Sequence, residues 1–173
     1  MHHINIKLEL EHHHKDCYAW ALHCCNADRE MAYDVVQASY LKILERQKKF
    51  SGKSAFKTWA FAIIRNTAID ELKKRKKDNV MFHSDENNLY DTAYDAELEK
   101  KLDQKLSKLF FTEGLNRLSG RQREIMQLIF YHDLSLNESA EVLHLSTGAI
   151  RKYYDRAKKT LAKWFHENGI PEL

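Results

Sequence analysis

The chain is 173 residues long, 43% hydrophobic and 31% charged, with a net charge of +3. That length holds one ordinary domain or two small ones and excludes a large multidomain enzyme. One proline and five glycines leave few of the breaks that closely spaced strands need, so an all-α fold is expected.

The modest net charge hides a strong segregation. From Arg65 to Lys77 six basic residues face two acidic ones, and from Asp78 to Glu99 seven acidic residues stand with no lysine or arginine. From Leu145 to Lys163 the balance reverses to six basic and one acidic. Two basic blocks joined by an acidic stretch suit two separate contacts with a polyanion and a connector that the polyanion repels. Three cysteines, Cys17, Cys24 and Cys25, two of them adjacent, make a poor disulfide framework and fit a reducing cytoplasm. No apolar run approaches the ~20 residues needed to cross a bilayer, and the N-terminus lacks the apolar core of a secretory signal.

In chain order, apolar positions Ala19, Leu22, Ala32, Val35, Val36, Tyr40, Ile43 and Leu44 recur at three- and four-residue intervals between Tyr18 and Lys48. They break near Asn26-Ala27-Asp28, which predicts two helices. Asp28 is placed to cap the second. A loop follows over Phe50-Ser51-Gly52-Lys53-Ser54, with Ser54 as the next expected cap. A third helix then runs from about Ala55 to Lys77, with the stripe Phe56, Trp59, Ala60, Ile63, Ile64, Thr67 and Leu72 facing the first two.

Residues 78 to 100 have no sustained period and read as a tether. A second periodic block begins near Leu102. Ser119 precedes the apolar set Ile125, Leu128 and Ile129 as a cap, and that helix is expected to end around Tyr131-His132-Asp133. A short helix from Asn137 to Leu143, a turn at His144-Leu145-Ser146 and a longer basic helix from Thr147 to about Phe165 follow. Gly169 and Pro171 end the last.

The pair of helices from Leu136 to Ala157 carries the clearest functional pattern. In a helix-turn-helix a small residue, here Ala140, lets two helices cross closely. Apolar residues such as Leu143, Leu145 and Ile150 fill the corner, and the second helix enters the major groove by its N-terminal end. Tyr154, Ala157 and Leu161 continue the buried face of Ile150 at helical spacing. Arg151, Lys152, Arg156 and Lys159 are thereby left for phosphates and base edges. The alternative is a helical hairpin with a solvated basic face.

The segment from Leu118-Ser119 to Leu161 resembles region 4 of the extracytoplasmic-function sigma factors, the compact group of the sigma-70 family. Two further segments resemble the same family: Asp34-Val-Val-Gln-Ala-Ser-Tyr-Leu-Lys-Ile-Leu is similar to region 2.2, and the run from Lys57 to Arg75 is similar to regions 2.3 and 2.4. The matches cover roughly residues 15 to 77 and 113 to 165, in the family's order. The resemblance implies two small helical domains, region 2 over 1–77 and region 4 over 113–173, joined by an acidic linker over 78–112. It implies a cytoplasmic, non-catalytic subunit that binds core RNA polymerase through the beta-prime coiled coil and the beta flap and directs initiation at promoter DNA. An anti-sigma factor that covers the polymerase-binding surfaces is a further implied partner.

The resemblance assigns minus-35 DNA to Ser146, Thr147, Gly148, Arg151, Lys152, Tyr153, Arg156 and Lys159. It assigns the minus-10 element, melted and read, to Phe50, Ser51, Lys53, Ser54, Phe56, Lys57, Trp59, Arg65, Asn66, Lys73 and Lys74. Core polymerase falls to Asp34, Val36, Gln37, Tyr40 and Leu41. A physical reading agrees, since aromatic rings beside cations can stack on unpaired bases while neutralising phosphates. For Phe56 and Trp59 burial in the core is an equal alternative, and Val36 could also be core. Asn66 could orient helices rather than touch DNA, and Lys73 to Lys77 could be a solvated helix end.

Departures from the family pattern are His144, where glycine usually occupies the turn, and Ser139, where an aliphatic is usual. His2, His3, His12, His13 and His14 with Cys17, Cys24 and Cys25 invite a zinc reading, and His13 with Cys17 has i, i+4 spacing. Adjacent histidines fan around a helix, however, and no Cys-x-x-Cys pair is present, so no metal or other cofactor is expected. A conventional helix-turn-helix regulator is the competing function, and it leaves the region 2 match unexplained. An enzyme acting on nucleic acid would need a phosphate-cradling glycine loop, a His-Glu-x-x-His or a carboxylate cluster, none of which is evident.

Overall fold

A computed structural model of the chain describes residues 5–78 and 113–169. Every regular element among them is helical, as expected. The chain divides into two compact units, Met1–Leu89 with Ala140–His144, and Tyr90–Ser139 with Leu145–Leu173. Apart from Asp78, which closes a helix, the expected linker lies outside the described residues, as do His2 and His3.

The first unit opens with α1 (Ile6–His12), which the sequence reading did not find. Its cap is Asn5, whose side chain accepts from the Lys7 and Leu8 amides. α2 (His14–Cys24) and α3 (Arg29–Glu45) follow, and the Asp28 side chain accepts from the Met31 amide at 2.9 Å as the predicted cap of α3. The connection between them passes through two left-handed residues, Asn26 (φ 55) and Ala27 (φ 64). Asn tolerates that conformation; Ala does so at a steric cost of about 1 kcal/mol. A single 3₁₀ turn (Gln47–Lys49) leads into the loop, and Gly52 supplies its positive φ. α4 spans Phe56–Asp78. The Trp59 amide donates to the Ala55 carbonyl, which places Ala55, not Ser54, at the cap position.

Helices α2, α3 and α4 pack pairwise. Trp20 anchors them: it is fully buried, stacks on Phe61 of α4 with centroids 5.7 Å apart and donates its indole N–H to the Phe61 carbonyl at 3.1 Å. One buried ring thus gives both apolar contact and a satisfied polar handle. Lys42 of α3 donates to Thr67 Oγ1 of α4 at 3.0 Å, and Arg75 of α4 reaches Asp28 at 2.9 Å. A second core layer seats α1, with Ile6 and Leu10 packed among Ile43, Phe56, Ala60 and Ile63.

In the second unit a helical turn over 113–116 precedes α5 (Gly120–Met126). Ser119 and Gln122 form a reciprocal capping box, satisfying two donors that a helix start would otherwise orphan. Arg123 donates to the carbonyls of Leu115 and Leu118, closing the preceding turn. Gly114 lets that turn approach closely, since a Cβ there would lie 3.0 Å from a Leu161 methyl. After Met126 the helix widens into a π turn, Gln127–Tyr131, and Asp133 turns the chain with φ 56. α6 (Leu136–Leu143), whose residues from Ala140 on are grouped with the first unit, and α7 (Thr147–Glu167) complete the described chain. Leu115, Leu118, Met126, Ala157, Leu161, Trp164 and Phe165 form one apolar cluster, with Tyr154 packed against it.

Candidate nucleic-acid interface

The backbone from 135 to 167 has the local form that the sequence pattern requires. Ser135 and Glu138 box the start of α6: Ser135 Oγ accepts from the Glu138 amide, and the Glu138 carboxylate accepts from the Ser135 amide at 2.8 Å. His144 ends α6 in the left-handed region, φ 53, as its replacement of the usual glycine demands. Ser146 then caps α7, its hydroxyl accepting from the Ala149 amide at 3.2 Å. Ala140, Val142, Leu143 and Ile150 are buried and Leu145 is half-buried. Ser139 is fully buried and its hydroxyl has no hydrogen-bond partner.

With Ile150, Ala157 and Leu161 turned inward, α7 offers the opposite face to solvent. Ser146, Thr147, Gly148, Arg151, Lys152, Arg156 and Lys159 are all exposed, and Tyr153 is half-buried. The first turn of a helix carries unpaired amides and positive potential, so Thr147 and Gly148 lie where a phosphate or a base acceptor is best received. Asp155 stands on the same helix, paired loosely with Lys158 at 3.8 Å, and such an exposed pair contributes little.

In the first unit the predicted minus-10 residues separate into two groups. Ser51, Lys53, Asn66, Lys73 and Lys74 are exposed and Ser54 is half-buried. Phe50 and Trp59 are half-buried with ring centroids 4.9 Å apart, so a partial aromatic surface backs the loop. Phe56 and Arg65 are different: both are buried, Phe56 at 6% and Arg65 at 9% exposure. Phe56 packs in the α1 core layer, so the fold uses it as core, and neither residue presents a surface to a strand in this form. Lys57 is half-buried, its ammonium 2.8 Å from the Asp16 carboxylate of α2 and 5.6 Å from the Phe61 ring centroid. Lys74 bonds Glu71 at 2.6 Å, which pushes its pKa up.

On α3 the expected polymerase residues also divide. Val36 is core at 3% exposure, whereas Asp34 and Gln37 are exposed, Leu41 is 64% exposed and Tyr40 is half-buried. Tyr40 is held by a hydrogen bond between its hydroxyl and His14 Nδ1 at 3.0 Å, and burial with the neighbouring Cys17 raises its pKa. The sequence reading missed Tyr33, which is 58% exposed on the same face. Its signal was present, since Tyr33, Gln37 and Leu41 lie at i, i+4 and i+8. In the second unit it also missed Phe130 and Tyr131, large rings left 52% and 41% exposed by the π turn, with Phe130 stacked on Tyr154. Among the described residues no three His, Cys, Asp or Glu side chains converge as a metal site, and no helix is long and apolar enough to cross a membrane.

Comparison with known proteins matches residues 10–78 to the model described as Sigma-70 region 2 and residues 114–163 to that of Sigma-70, region 4. RNA polymerase sigma factor SigV of Bacillus subtilis is 30% identical over 149 residues, covering 86% of this chain and 84% of SigV. ECF RNA polymerase sigma factor SigX of the same organism is 24% identical over 155 residues, 87% of this chain and 78% of SigX. Among solved structures, the sigma factor RpoE of Bartonella quintana, crystallised with the anti-sigma factor NepR, superimposes with a TM-score of 0.72 at 27% identity. The match covers 92% of this chain and 96% of that one.

Proposed function

The chain belongs to the sigma-70 family, in its extracytoplasmic-function group, and from that premise we propose how its two units direct promoter-specific initiation. α7 enters the major groove of the minus-35 element by its first turns. Arg151 and Lys152 contact base edges and nearby phosphates, and Arg156 and Lys159 contact the backbone. The second unit's exposed Phe130 and Tyr131 meet the polymerase beta flap. In the first unit the loop at Ser51, Lys53 and Ser54, backed by Phe50 and Trp59, takes the melted minus-10 strand, with Asn66 and Lys73 along the same path. Tyr33, Asp34, Gln37 and Leu41 dock the beta-prime coiled coil, and the acidic linker spans the core enzyme. The protein works in the cytoplasm as a binding subunit, and bond formation is the polymerase's task. The complex of the similar RpoE with NepR supports an anti-sigma partner for this chain too, one that competes for the α3 face.

The observation that carries this reading is the division of labour on α7, where one face is buried and Arg151, Lys152, Arg156 and Lys159 stand exposed behind a capped N-terminus. Replacing Arg151 by Ala should cost about 1–3 kcal/mol in binding of the holoenzyme to a promoter and relax its preference at the contacted base pair, as loss of one base-reading contact does. A uniform loss across sequences would make Arg151 a phosphate contact and overturn its assigned role.

A further inference from the structure

The cations of the first unit are not equivalent, and carboxylates do the sorting. Lys53, Lys73, Lys76 and Lys77 are exposed with no ion pair among the described residues. Three others face a carboxylate at 2.9 Å or less: Lys57 with Asp16, Lys74 with Glu71 and Arg75 with Asp28. Their solvation separates them. Lys74 is 67% exposed opposite Glu71, and Arg75 is 45% exposed opposite Asp28, so water and salt weaken both pairs. Lys57 is only 20% exposed, with its ammonium 5.6 Å from the centroid of the buried Phe61 ring. Asp16 lies in the first turn of α2, where the positive end of the helix dipole favours its negative charge.

The Lys57–Asp16 pair sits at the first turn of α4, directly after the Phe50–Ser54 loop in the chain. A phosphate arriving there meets an ammonium already neutralised at 2.8 Å and a carboxylate that repels it. We propose that Asp16 is a positioning residue for promoter DNA: it fixes the Lys57 ammonium against the Phe61 ring and cancels most of that lysine's contribution to strand binding. The strand is then held mainly by the unpaired lysines and by the loop. The inference rests on the promoter-binding reading of the first unit.

Its consequence is a coupling that a merely structural pair would not show. An isolated lysine on single-stranded DNA contributes a slope of about 0.7 to the dependence of log affinity on log salt, whereas a net-neutral pair contributes close to none. The experiment uses holoenzyme assembled from core RNA polymerase and the full chain, on a promoter recovered from the holoenzyme's own run-off transcripts, with DNA affinity measured across a salt series. Asp16→Asn should raise affinity about 2- to 5-fold, the scale of one partly exposed ion pair, and steepen the slope by about 0.7. Lys57→Gln should leave the slope nearly unchanged when Asp16 is intact but lower it by about 0.7 when combined with Asp16→Asn, and Asp16→Glu should keep the wild-type slope. Core affinity and thermal midpoint, measured in parallel, separate a folding defect from a change in DNA binding. Equal effects of Lys57→Gln with and without Asp16, or no change in slope on Asp16→Asn, would overturn the proposal. If Lys73→Gln still lowers the slope in that case, the promoter-binding reading survives and this inference alone fails.

Discussion

Ser139 shows how much a single atom decides at the residue scale. Its hydroxyl is fully buried in α6 with no hydrogen-bond partner, at a position where the sequence resemblance leads one to expect an aliphatic side chain. An orphaned buried hydroxyl keeps its desolvation cost and recovers little, so Ser139→Ala should stabilise the protein by about 1 kcal/mol, read as a rise in the denaturation midpoint. The departure at Ser139 was legible in the sequence, as was the left-handed turn at His144, because both rest on the steric and polar demands of one site. Burial was less legible. Arg65 and Phe56 carry the residue types of a nucleic-acid surface, yet both are buried, Phe56 by packing against α1, which a one-dimensional pattern does not specify. Cys25 offers a pH test of the same burial, which pushes its thiol from an ordinary 9.0 up to about 12. The folded state then holds the proton more tightly than the unfolded chain. The stability this contributes is whole below pH 9 and is lost as pH rises towards 12. Alkaline denaturation should therefore begin at higher pH in Cys25→Ala than in the wild type once the two are matched for stability at about pH 7.

At the scale of elements, capping and period carried most of the sequence information. Asp28 and Ser119 were identifiable as caps because each precedes a periodic apolar run, and each accepts an amide at the helix start; Ser146, read from the sequence only as part of a turn, does the same for α7. Ser54 failed as a cap by one residue, which is within the ordinary spread of a helix end. α1 escaped notice because it is only seven residues long and its stabilisation comes from Ile6 and Leu10 meeting α3 and α4, a tertiary contact invisible to local propensity. The period of α3 places Val36 inward and Leu41 outward, so the two should respond differently to substitution. Leu41→Glu should weaken association with core polymerase by roughly ten-fold or more while leaving helicity and the thermal midpoint nearly unchanged, as loss of an interface anchor does. Unchanged core affinity in that variant would remove the exposed face of α3 from the polymerase contact.

For the whole molecule, the two basic blocks and the acidic stretch between them were visible in composition, and their assignment to regions 2 and 4 required the order of two motif sets in one chain. The family matches over residues 10–78 and 114–163 agree with that order. In the proposed account the stretch from Asp78 to Glu99, with seven acidic residues and no lysine or arginine, is repelled by the promoter DNA that the two units contact. The central claim is that this chain gives core polymerase its promoter choice, and run-off transcription tests it most directly. Core RNA polymerase and a pooled promoter library, with and without the protein, should yield defined start sites in its presence and none in its absence. Duplex DNA binding without core association or initiation would contradict the account and leave a simple helix-turn-helix regulator.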